Sequence, residues 1–217
     1  MKMKVLTISL LALSLSVSAQ NKTPEDGVVT ERYPNGDLKS LTVYEDGEKD
    51  GISLRLSAKG DLAVEENYQE GKLHGQRRMY RSDGKNQLIQ EYKDGKLNGT
   101  TKKFYQNGKL QEEAEYQDDK KHGRAAWYFQ NGNLVTEYTY ENGELDGEAK
   151  TYHKEGSIKT IFKYDDNERD GDYKEFYPSG KIKVEGQYSA GEKTGVWEYF
   201  TEEGEKEREI DYSQQAY

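Results

Sequence analysis

The sequence predicts an all-β protein, an elongated single-layer antiparallel β-sheet of stacked β-hairpins. Three observations carry this expectation. Glycine recurs every 24 residues in three columns, which together hold 21 of the 22 glycines. A tyrosine column (Tyr44, Tyr68, Tyr92, Tyr116, Tyr140, Tyr164, Tyr188, Tyr212) keeps the same period. The runs between glycines are six to nine residues long, too short for paired helices and suited to strands joined by tight turns. No residue is inserted or lost over about eight periods, so the chain reads as a repeat array.

The elements follow in order. Lys2 and Lys4, the apolar run over 5–17 and the small residues Val17-Ser18-Ala19 form a secretory signal peptide over 1–19, cleaved after Ala19. Its apolar stretch is shorter than the roughly 20 residues needed to span a bilayer. A short linker (20–26), the repeat array (27–212) and a C-terminal tail (213–217) complete the chain. Without cysteine, the mature protein can carry neither a disulfide nor a lipid-modified N-terminal cysteine. The expected location is therefore the periplasm or the medium, in soluble form.

Residues 36–60 serve as a specimen repeat. A first strand ends at Tyr44, Asp46-Gly47 forms a turn, a second strand runs from Ile52 to Ser57, and Ala58-Lys59-Gly60 turns again. Asn-Gly and Asp-Gly pairs such as Asn35-Gly36 and Asp46-Gly47 favour positive φ. Where the third glycine column is interrupted it holds Asp119 and Asn167, which tolerate the left-handed region. Gly36, Gly51, Gly75, Gly99, Gly123, Gly147, Gly171 and Gly195 are accordingly read as structural turn residues.

Simple alternation groups Leu38 and its equivalents with the tyrosine column. Leu56, Tyr80, Phe104, Tyr128, Tyr152, Phe176 and Phe200 of the second strands join them in one apolar ladder. The opposite face varies between repeats. It offers Tyr105, Trp127, Phe129, Tyr173, Tyr177, Trp197 and Tyr199 as a partner-binding strip, since aromatic side chains dominate hot spots. The array begins and ends on half-repeats. Lys206, Glu207, Arg208 and Glu209 make the last strand a charged cap against edge pairing.

The unit Tyr-x-x-Gly-x-x-x-Gly, as in Tyr68-Gln69-Glu70-Gly71-Lys72-Leu73-His74-Gly75, is followed by an aromatic pair and Asn-Gly, as in Phe104-Tyr105-Gln106-Asn107-Gly108. This pattern resembles the MORN repeat, and most of all the bacterial MORN-variant subfamily, whose members are often labelled antitoxin-like. The resemblance covers nearly all of 27–212. It implies a curved or twisted antiparallel sheet of stacked hairpins with a binding or scaffolding role. Departures are mild: Ser57 and Arg81 replace the second aromatic, Asn86 an aliphatic residue, and Asp119 and Asn167 a glycine.

Charge narrows the partners. The net charge is −9, and removing Lys2 and Lys4 takes the mature chain to about −11. Such a surface repels phosphate backbones, which excludes nucleic acid, and it disfavours anionic membrane surfaces. A neutral or basic protein partner fits better. His74 and His122 sit two repeats apart and His153 stands alone, so no shared metal site is expected, and no cofactor. The acidic turn over 165–172 lacks the glutamate a calcium loop requires, that position being Tyr177. No catalytic triad, phosphate loop or unique carboxylate pair breaks the period, so the chain is read as not an enzyme. The functional expectation is a non-catalytic exported repeat protein that binds or scaffolds another protein, in an antitoxin- or immunity-like role. The alternative is a peripheral envelope protein that binds lipid or glycan through the aromatic strip.

Overall fold

The computed structural model describes residues 25–213, and none of these is helical. The signal peptide, its cleavage point, most of the linker and most of the tail lie outside the described residues. Strands β1 (Gly27–Arg32), β2 (Leu38–Glu45) and β3 (Glu48–Leu56) set the pattern. Successive strands pair antiparallel, and in three repeats the second strand is split into two segments that pair with the same neighbour, as Lys72–Leu73 and Gly75–Tyr80 both pair with Leu62–Gln69. The hairpins stack in sequence order into one sheet of 19 strand segments. The last is β19 (Lys206–Asp211).

Two turn types alternate. Asp46 (φ 51°) and Gly47 (φ 75°) both lie in the left-handed region, which defines a two-residue type I′ turn whose twist matches that of the flanking strands. Glu70 (φ 48°) and Ala190 (φ 47°) adopt the same conformation without a side chain that favours it. At the other edge Gly36 N donates to Tyr33 O (2.9 Å) and Tyr33 N to Asp37 O (2.8 Å). This closes a turn in which Pro34 supplies its preset φ and Gly36 the positive one.

Both edges are tied from repeat to repeat. Gly71 N donates to Lys49 O, Gly95 N to Leu73 O and Gly143 N to Lys121 O, so each type I′ turn hangs on the one before it. Asp119 and Asn167 repeat this backbone bond. Their side chains add another, accepting from Leu97 N and Leu145 N, each at 2.8 Å. They therefore substitute for glycine with a gain in bonding, beyond tolerating the turn.

The face assignment from simple alternation is corrected. Leu62 pairs with Leu56, but Val64 pairs with Arg55, so Ala63 is an extra, bulged residue. The bulge leaves Leu62 beside Leu56 and sends Val64, Glu66 and Tyr68 to the other face. Tyr68 Oη donates to Glu66 Oε2 there (3.1 Å). The same shift recurs in every repeat, at Leu134 opposite Tyr128 and at Ile182 opposite Phe176. The tyrosine column thus lies on the face of Ala125, Trp127 and Trp197, and the expected single ladder is two. Most of the buried residues line the tyrosine face: Val64, Glu66, Thr101, Ala114, Ala125, Ala149, Phe162, Val184 and Trp197.

Candidate binding surface

Along the tyrosine face the chemistry changes from polar to aromatic. Near the N-terminal end Thr42 and Ser53 share a hydroxyl hydrogen bond (2.9 Å). Arg77 then joins two strands, donating from Nε to Glu66 Oε1 (2.9 Å) and from Nη1 to Gln90 Oε1 (2.8 Å). Ala114 and Ala125 follow, directly paired and fully buried. Beyond them the rings begin. Trp127 meets Tyr138 edge-on (5.8 Å between centroids), and contacts pass through Tyr164, Phe162, Tyr173, Tyr188 and Trp197 to Tyr212. Such pairs add about 0.5–1.5 kcal/mol each beyond area burial.

Bulk is matched across this face. Tyr138 lies opposite Ala149, Phe162 is flanked by Ala149, and Trp197 lies over Gly186. A Cβ at Gly186 would overlap the Trp197 ring. This glycine has no positive φ, and it is the one glycine outside the three columns. Trp197 is 1% exposed, donates Nε1–H to Gln187 O (3.1 Å) and carries Lys193 Nζ 4.0 Å from its ring centroid.

The seven residues read as a strip therefore divide. Trp127, Tyr173, Trp197 and Tyr199 belong to strands of the tyrosine face. Trp197 is buried and the other three are half-buried. Burial, with the Glu175 carboxylate, pushes the Tyr173 phenol up to about 12. Tyr105, Phe129 and Tyr177 sit in the turns at the sheet's edge. Tyr105 Oη donates to Tyr128 O (2.6 Å) and Tyr177 Oη to Phe200 O (2.8 Å). Tyr33, Arg81 and His153 make the same reach to Leu56 O, Phe104 O and Phe176 O. This column of struts, each reaching 23 residues ahead, is absent from the sequence reading. Its only signal is a long polar-tipped side chain at a fixed place in the period.

One part of the aromatic face stays open. Tyr105, Gln111, Trp127, Tyr128, Val135, Thr136 and Tyr138 line a cleft of about 420 Å³. In the column of bulged residues the position is Lys39, Ala63, Gln87, Gln111, Val135, Lys159, Lys183 and Glu207, so Val135 is its branched apolar member. From the cleft, β12 (Leu134–Glu141) leads to an acidic edge. There two consecutive turns present Glu141, Glu144, Asp146, Asp165, Asp166, Glu168 and Asp170. Carboxylate oxygens of Asp146, Asp165 and Asp166 lie within 4.8 Å of one another. Arg169, the only base in those turns, turns its guanidinium over Phe162 (4.9 Å) and donates to Tyr188 Oη (3.3 Å). The negative potential at this edge is left largely uncompensated. The histidines are dispersed: His74 is 3.4 Å from Asp94 and His122 is 3.5 Å from Glu141.

The opposite face carries cross-strand charge pairs. Lys102 reaches Glu113 (3.0 Å), and Arg124 bridges Glu113 (3.9 Å) and Glu137 (2.7 Å). Burial tends to raise the Glu137 carboxyl, but hydrogen bonds from Tyr152 and Arg124 hold it below its ordinary value.

A family model described as the MORN repeat variant matches residues 25–46, 97–118, 121–142, 145–166 and 169–190. The chain belongs to the MORN repeat variant family. As a MORN-variant array it is a repeat protein with a binding or scaffold role, in a family that is generally non-catalytic. No curated protein matches the sequence. Among solved structures it is similar to a chain of the TcdB2-TccC3-Cdc42 crystal structure, at 12% identity and a TM-score of 0.17 over 81% of this chain. It is also similar to a chain of the Photorhabdus luminescens Tc holotoxin pore, at 14% identity and a TM-score of 0.18 over 80% of this chain. It spans only 14% and 13% of the length of those chains. Among the described residues no helix is long and apolar enough to cross a membrane.

Proposed function

We propose that this MORN-variant protein is exported and binds a protein partner on its aromatic face, without catalysing a reaction, in an immunity- or antitoxin-like role. The observation that carries this reading is the open cleft at Tyr105, Trp127, Val135 and Tyr138. Trp127 and Tyr138 pack edge-on there and also border empty space that suits an apolar or aromatic side chain of a partner. Anchors of that kind supply most of an interface's energy. The acidic edge that β12 reaches at Glu141 favours a partner with basic side chains around its anchor.

The test uses the mature protein as bait against an envelope extract. Captured protein is expected to fall by about 30-fold in affinity with Trp127→Ala, the effect of losing a hot-spot residue of about 2 kcal/mol. Binding should also weaken as salt rises. An unchanged captured set in Trp127→Ala and Tyr105→Ala would remove the cleft from the interface. Co-sedimentation with liposomes, lost in the same variants, would favour a lipid ligand instead.

A further inference from the structure

The two ends of the sheet are complementary halves of one repeat. Among the described residues, β1 stands at the second-strand position of its period with no first strand on its outer side, and β19 stands at the first-strand position with no second strand beyond it. Val28 and Val29 on β1 are 59% and 37% exposed. We propose that copies of this chain associate head to tail, the free edge of β19 on one copy pairing with the free edge of β1 on the next.

The register is fixed by the internal junctions. Within a repeat Thr136 pairs with Thr151 and Tyr138 with Ala149. Arg208 lies three periods after Thr136, and Glu31 five periods before Thr151. Ile210 and Val29 bear the same relation to Tyr138 and Ala149. A β19–β1 junction built on the same period therefore places Arg208 opposite Glu31 and Ile210 opposite Val29. The first is a cross-strand pair of opposite charge and the second an apolar pair, both favourable across an antiparallel ladder. Of the other opposed pairs, Glu209 with Thr30 and Tyr212 with Glu25 set no like charges against each other.

The apolar pair continues an existing column. Inside the molecule its members include Thr42 with Ser53, Glu66 with Arg77, Ala114 with Ala125, and Tyr138 with Ala149, each matched in polarity or complementary in size. Arg208 is already oriented by Tyr199, whose ring centroid lies 4.4 Å from its Cζ, and Lys206 is held by Glu198 and Glu209. Glu31 is bridged to Lys39 (3.1 Å) on its inner side. The charges of β19 thus select one register, while opposing unselective edge pairing. Like-to-like pairing would set two first strands or two second strands side by side, an arrangement found at none of the internal junctions. The head-to-tail contact is heterologous, so it propagates to longer assemblies unless the rotation closes a ring.

The chain has no cysteine, so pairing can be read without background. Directly opposed residues in an antiparallel pair lie about 4.5–5.5 Å apart at Cα, within disulfide reach. The full mature chain carrying Val29→Cys and Ile210→Cys is expected to give, on mild oxidation, a ladder of covalent dimers, trimers and higher species. Each single variant should stop at dimer or remain monomeric. Unmodified protein should gain mass with concentration in sedimentation. That gain should weaken about tenfold with Glu31→Arg and return with Glu31→Arg combined with Arg208→Glu. A monomer at every concentration, covalent products ending at dimer in the double-cysteine chain, or a charge swap that restores nothing would overturn the proposal.

Discussion

Trp197 and Gly186 invite an exchange of bulk across the strand pair. In Trp197→Ala the chain loses a fully buried indole. It also loses that ring's contacts with Tyr173 and Tyr188 (both 5.2 Å) and Tyr212 (6.2 Å), and the bond to Gln187 O. Truncations of this kind cost about 3–5 kcal/mol. In Gly186→Phe the new ring meets Trp197 in a space already filled, and overpacking costs about 1–3 kcal/mol or more. Combined in one chain, the two changes place a phenylalanine between Tyr173 and an alanine, the mirror of an arrangement found one period earlier. There Phe162 stands between Ala149 and Tyr173. The double variant should therefore lie within about 2 kcal/mol of the parent, against the roughly 4–8 kcal/mol obtained by adding the singles. The coupling of about 2 kcal/mol or more is measurable by urea unfolding followed by far-UV circular dichroism, with equal m-values as the check that one transition is compared throughout. Costs that simply add, within about 0.5 kcal/mol, would refute size matching as the rule that packs this face.

Three further outcomes are expected. Burial chiefly raises the phenols of Tyr68, Tyr80, Tyr116, Tyr140, Tyr152 and Tyr173 above the ordinary value of 10.0. Their contribution to stability is thus complete below pH 10 and is lost as pH climbs toward about 12, the value for Tyr173. Absorbance at the tyrosinate band should lag free tyrosine and then rise together with loss of the strand signal; early independent ionisation would contradict it. Ala190→Gly should stabilise the fold by about 0.5–1 kcal/mol, because the left-handed φ of 47° is strained for alanine, and a lower melting temperature would count against that turn geometry. Tyr177→Phe should cost about 1 kcal/mol by leaving Phe200 O without its strut, read as a shifted denaturation midpoint, whereas no shift would mean that water replaces the bond at no cost.

Much of the fold was legible because turn conformation is a local demand. A type I′ pair needs positive φ at two adjacent residues, and the glycines with Asp119 and Asn167 mark those places in the sequence. The faces were not legible in the same way. The bulged residue of each first strand falls in a column holding Lys39, Ala63, Gln111 and Val135, with no chemical theme. Alternation counted through it assigns Tyr44 to the wrong neighbours. Trp197 drew notice as an aromatic residue, but its burial was signalled only by Gly186, the glycine out of step with the period. The strut column escaped because tyrosine, arginine and histidine perform one job there, and a search by residue type divides them.

The struts also have gaps. Ser57 bonds locally to the amides of Lys59 and Asp61, and Phe129 has no polar tip. At the seam from Phe129 to Tyr152, Asn131 and Asn133 reach Lys154 O instead (3.3 and 2.9 Å). The seam from Ser57 to Tyr80 has neither this link nor the fastening that Tyr33, Arg81, Tyr105, His153 and Tyr177 provide. Under a pull along the stacking axis, or in slow native-state opening, the ribbon should part first at this seam and yield blocks of whole hairpins. Its mechanical units are then set by one side chain, while the spacing of its repeats stays uniform.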